Sequence, residues 1–95
     1  MVDDDLILYA ALERGERDAL GTLYDRHAAI VFAVALHLVG DRARAEDVVH
    51  DVFLDLARAA RAHAPIRNVL RHLVLRVFAH DLGRGGGFGG RSRSR

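Results

Sequence analysis

The chain predicts an all-α fold, a compact bundle of about four helices with a flexible C-terminal tail. Three observations carry this expectation. Apolar residues recur at three-and-four spacing along most of the chain, no stretch alternates as a strand does, and Gly15, Gly40 and Pro65 punctuate the periodic segments. Ninety-five residues allow one small domain, of a size that buries roughly two-thirds of its surface and has a modest stability margin. The domain is expected to occupy residues 1–82, with 83–95 as a disordered glycine, arginine and serine tail.

The first helix is expected over Asp3 to Glu13, capped by its aspartates and carrying Leu6, Ile7, Tyr9, Ala10 and Leu12. Gly15 ends it. The second starts near Asp18 and runs to about Val39, with an inner face of Leu20, Leu23, Tyr24, His27, Ile30, Val31, Val34 and Leu38, and stops at Gly40.

The third, Asp41 to Arg61, is the segment around which the chain is organised. Ala45, Val48, Val49, Val52, Phe53, Leu56 and Ala60 make a core stripe. Asp47, His50, Asp51, Leu54 and Arg58 make a second stripe, polar but for one leucine, which faces either a partner or solvent. Asp41 is placed as an N-cap, with Glu46 and Asp47 near the positive end of the helix dipole. His63-Ala64-Pro65 breaks the pattern. A fourth helix, Ile66 to about Leu82, is expected to bury Ile66, Val69, Leu70, Leu73, Val77 and Phe78 and to expose a ridge of Arg67, Arg71, His72, Arg76 and His80.

The net charge of +1 conceals an asymmetry. Residues 1–55 hold five arginines and twelve acids, a net of −7, whereas residues 56–95 hold nine arginines and one acid, a net of +8. Two halves of opposite sign suit one cationic and one anionic partner, or attract each other. The tail, GRGGGFGGRSRSR, cannot form a core. Its arginines suit nucleic-acid phosphates and Phe88 suits base stacking, and a solvated linker accounts for the same composition.

Several function classes lose support. There are no cysteines, so disulfides, thiolate metal ligands and cysteine nucleophiles are absent together. Acids stand at the N-terminus where a secretory signal carries positive charge, and the apolar run Ala28 to Leu36 is short for a bilayer, so a cytoplasmic protein without a membrane partner is expected. Of His27, His37, His50, His63, His72 and His80 no two stand four apart. Glu46 and His50 do, but two ligands do not make a site. His27, on an apolar face, reads as a satisfied core or boundary residue. No phosphate-cradling glycine loop with flanking strand and helix is present, and no serine precedes the tail. Neither metal nor cofactor is expected, and the chain does not read as an enzyme.

The run Leu23 to Ala59, LYDRHAAIVFAVALHLVGDRARAEDVVHDVFLDLARA, resembles region 2 of bacterial sigma factors, most closely the extracytoplasmic-function (ECF) group. LYDRH, the GDR turn and AEDVVHDVFL follow the family pattern nearly residue by residue, and the resemblance extends from about Asp18 to Arg84, weakening after Ala60. It implies a helical promoter-recognition domain of RNA polymerase holoenzyme. In that family the exposed face of the third helix docks on the clamp helices of the polymerase largest subunit. The matching positions here are Asp47, His50, Asp51 and Leu54, with Glu46 and Arg58 at the edge. Acids around a leucine suit a basic coiled coil.

The resemblance further implies that the fourth helix meets the minus-ten promoter element, through Arg67, Arg71, His72, Arg76, His80 and Arg84 as phosphate contacts. Departures fall in this half. Val69 stands in place of the family tryptophan, Arg76 in place of an asparagine, and His80 where an aspartate is usual, with Asp81 next to it; the loop Arg61 to Pro65 is short. Charge-driven DNA binding is retained in this pattern, but the stacking surfaces that hold flipped bases are not.

Nothing resembles the helix-turn-helix region that normally follows. A domain cut from its second half, or a stand-alone region 2 working with a separate region 4 partner, are both consistent with this. An interaction module that binds the clamp or an anti-sigma factor without melting promoters, and a tail-driven non-specific nucleic-acid binder, are the alternative readings.

Overall fold

The computed structural model describes residues 3–86, with side chains through Leu82. Its elements are four helices: α1 (Asp4–Glu13), α2 (Asp18–Val39), α3 (Arg42–Arg61) and α4 (Val69–Gly86). Among the described residues there is no strand. Local chemistry sets the ends. The Asp3 carboxylate accepts from the Asp5 amide at 2.9 Å and caps α1, and Asp41 does the same for α3 through the Ala43 amide at 3.2 Å. Gly40 closes α2 at φ 69°, its amide donating to the Leu36 carbonyl at 2.8 Å. That left-handed conformation favours glycine.

The fourth helix begins later than the sequence predicts. Pro65 and Ile66 lie in the connection, and Asn68 caps the helix by accepting from the Arg71 amide at 2.9 Å. A side-chain cap outcompetes proline as a start signal here because it satisfies an orphan amide that proline leaves open. The helix also continues to Gly86 in place of stopping near Leu82. Gly83, Gly85 and Gly86 each cost about 1 kcal/mol relative to alanine, while elongating an already nucleated helix adds a hydrogen bond per residue. The expected tail beyond Gly86 lies outside the described residues.

α2 packs against all three other helices, most extensively α3. The shared core holds Leu23 and Val31 from α2, Val48, Val52 and Leu56 from α3, and Val69, Leu73 and Val77 from α4, all with almost no exposure. Full burial of such side chains contributes on the order of 1.5–3 kcal/mol each. The buried stripe of α3 is the one the periodicity names, Ala45 through Ala60.

The α2 stripe differs from expectation. Its buried positions are Ala19, Leu23, His27, Val31 and Ala35, four apart, while Tyr24 and Ile30 are exposed. Leu20, Val34 and Leu38 of the expected face are half-buried and pack against the core. Phe78 of α4 and Ile7 of α1 are likewise exposed, and Tyr9 and Ala11 carry the α1 core contact. By length and composition alone α2 is long and apolar enough to cross a membrane. Its contacts with three helices give that apolarity a role in the core.

Two polar contacts fix the outer elements. The Tyr9 hydroxyl donates to the Ala64 carbonyl at 2.7 Å, pinning the α3–α4 connection to α1. Burial and the nearby Glu13 charge raise its ionisation above the ordinary phenol range, so the donor proton is retained. His27 on α2 meets Asp5 on α1 in the interior.

Candidate functional site

The outward side of α3 follows from the same periodicity that buries its other side. Val48, Val52 and Phe53 face inward, so Glu46, Asp47, His50 and Arg58 are exposed, Asp51 is half-buried and Leu54 retains 38% exposure. The six residues named for a protein partner therefore share one accessible surface along α3. Leu54 stands between two hollows. One, of about 670 Å³, is formed with Leu12, Arg17, Leu20, Ala57 and Arg61. The other, of about 260 Å³, is formed with Leu20, Gly21, Tyr24, His50 and Phe53. Tyr24 is tilted over Phe53 with ring centroids 4.9 Å apart, which builds the wall of the second hollow. An apolar side chain flanked by hollows and rimmed by acids has the make-up of an interface centre with a polar rim. Sequence periodicity locates Leu54 but misses Tyr24 and Leu20 beside it, which come from another helix.

The predicted basic ridge of α4 divides into two. Arg67 and Arg71 are exposed. His72, Arg76 and His80, spaced by four, lie toward α3 and its half-buried Asp55; the two histidines are half-buried and Arg76 stays exposed. His80 Nε2 lies 2.9 Å from Asp55 Oδ2, and Arg76 Nε and Nη2 each lie 3.4 Å from the same oxygen. Arg58 Nη1 reaches Asp55 Oδ1 at 3.1 Å. Burial pushes the Asp55 carboxyl up, but the His80 hydrogen bond and the charges of Arg76 and His80 outweigh it and hold the group below its usual range. His72 is partly buried, and its Nε2 has no hydrogen-bond partner among the described residues. Burial and the Arg76 charge push its imidazole below the ordinary histidine value, against an upward pull from Asp55. The Arg84 side chain lies outside the described residues.

Sequence reasoning misses Asp55 because it falls between the two α3 stripes and its partners are 21 and 25 residues away. Among the described residues no group of three or more histidines and acids is placed to hold a metal ion.

A four-helix bundle with an acidic, leucine-bearing face on one helix and exposed arginines on the next belongs to the class of small all-α domains. The chain is a member of the sigma-70 region 2 family, whose profile matches residues 23–79. Among curated proteins it is 44% identical over 70 residues to "ECF RNA polymerase sigma factor SigL" of three strains of Mycobacterium tuberculosis. That alignment covers 63% of this chain and 38% of each relative, so the chain spans well under half their length. No solved structure matches significantly.

Proposed function

We propose that this region 2 domain acts in cytoplasmic transcription initiation, docking the outer face of α3 on the clamp helices of the RNA polymerase largest subunit and offering α4 to promoter DNA near the minus-ten element. The observation that carries the reading is Leu54, an exposed leucine between two hollows, ringed by Asp47, His50 and Asp51 on the helix face opposite the core stripe. A leucine there has no folding role that requires its exposure. A basic coiled coil supplies both an apolar ridge for the hollows and cations for the rim. Exposed Arg71 in the first turn of α4, and Arg67 in the connection just before it, then supply the phosphate contacts.

Core polymerase co-purification tests this. Asp51→Arg combined with Leu54→Ala should remove binding, a loss on the order of 2 kcal/mol or more for a central contact. Retention at the parental level rules the docking face out.

A second reading is favoured by one observation: Arg76 and His80 are engaged by Asp55 within the domain. It is a region 2 module that occupies the clamp without melting DNA. Permanganate footprinting of holoenzyme on supercoiled promoters separates the two, since clamp binding without thymine reactivity supports the second.

A further inference from the structure

Asp55 touches two of the basic groups on the α3-facing side of α4, Arg76 and His80. Its side chain is 17% exposed and receives His80 Nε2 at 2.9 Å and Arg76 Nη2 at 3.4 Å. Arg58, one turn along α3, closes the cluster at 3.1 Å. Neither Arg67 nor Arg71 is in an ion pair among the described residues. The two sets of cations thus differ in electrostatic environment, although the sequence presents them as one ridge.

A phosphate approaching Arg76 meets a fixed carboxylate about one guanidinium width away. Attraction to the arginine is then largely offset by repulsion from Asp55, and fewer counterions are released. Arg67 and Arg71 carry no such offset. From this we infer that Asp55 is a footprint-determining residue: it withholds Arg76 and His80 from nucleic acid and confines phosphate contact to Arg71 in the first turn of α4 and Arg67 just before it. The inference rests on the reading that α4 meets DNA.

The test is binding of the full chain to a fluorescent single-stranded oligonucleotide, by anisotropy across a salt series. Each phosphate contact adds a slope near −0.7 for single strands, which corresponds to roughly fivefold in affinity at about 0.1 M salt. Asp55→Asn keeps the shape of the side chain and removes its charge. It should tighten binding roughly fivefold and steepen the salt slope by about one contact. Asp47→Asn makes the same change in net charge at a carboxylate with no ion pair among the described residues, and should give a clearly smaller gain. An unchanged or weakened affinity for Asp55→Asn, or an equal gain for Asp47→Asn, overturns the proposal.

A second comparison leaves Asp55 untouched. Arg76→Ala should cost less than about twofold in the parental chain, whereas Arg71→Ala should cost roughly fivefold. Equal losses at the two positions overturn the withholding role while leaving α4 as the DNA helix. If neither Arg67→Ala nor Arg71→Ala weakens binding, the DNA reading of α4 itself fails, and the footprint assignment with it. In the Asp55→Asn background, Arg76→Ala should abolish the gain.

Discussion

His27 Nε2 lies 2.7 Å from Asp5 Oδ2 in the interior between α1 and α2, both residues being more than nine-tenths buried. The other carboxylate oxygen sits 2.9 Å from Arg26 Nε, an ion-pair contact without a well-directed N–H, since no hydrogen bond forms at Asp5 Oδ1. A short first helix that buries only one large side chain, Tyr9, is thus held by a polar contact as well. Asp5→Ala should destabilise the domain by roughly 1–3 kcal/mol, because it strands a buried imidazole nitrogen. Urea unfolding measures this as a fall in midpoint at constant slope. A midpoint equal to that of the parent would show that the pair adds nothing to folding.

How much of this was legible beforehand depends on how each element is built. α3 alternates apolar and polar residues so regularly that its buried positions, and hence its outer face with Leu54, follow from spacing alone. α2 is apolar almost all round, so periodicity cannot say which side is inward; contact with three helices decides it, and places Tyr24 and Ile30 outside. Asp5 with His27 and Asp55 with His80 are pairs of distant residues. No local pattern marks such pairs, and they are the features that split the α4 ridge and close the first helix onto the second.

The turn after α3 holds a strained position. His63 has φ 55°, left-handed for a residue with a Cβ, and the Ala64 amide donates back to the Ala59 carbonyl at 2.9 Å in the manner of a helix C-terminal motif. Glycine is the natural occupant. Its contact with Glu13, 3.6 Å away on exposed surface, contributes little. His63→Gly should stabilise the domain by about 0.5–1 kcal/mol, the relief of left-handed strain less the added freedom of the unfolded chain. A thermal melt checks the direction; a lower transition temperature contradicts it.

His72 makes stability depend on pH in a defined direction. Its folded form favours the neutral imidazole, pushed down by burial and by Arg76. The unfolded chain takes up the proton below about pH 6.5. The unfolded state therefore binds more protons in that window, and stability present above it is lost as pH falls through about 6.5 toward the lower folded value. His72→Leu should flatten that part of the profile, seen as a smaller drop in melting temperature between about pH 7.5 and about pH 5. The His72 ring resonance should titrate below the ordinary midpoint by NMR. Asp55 acts with the same sign in the acid range, its depressed carboxyl giving up stability as pH falls below about 4.

Leu54 and Leu56 are two residues apart and have opposite assignments. Leu56 is fully buried among α2 and α4, while Leu54 keeps 38% of its surface on the outer face. Leu56→Ala should cost roughly 2–5 kcal/mol, the lost transfer energy plus the cavity that surrounding helices cannot close. Leu54→Ala should cost less, about 1 kcal/mol for a side chain that keeps over a third of its surface in water, yet lower polymerase affinity in the co-purification assay. Chemical denaturation of both variants alongside that assay separates folding from docking at one helix. A large stability loss for Leu54→Ala would place that leucine in the core and remove the argument for its outward role.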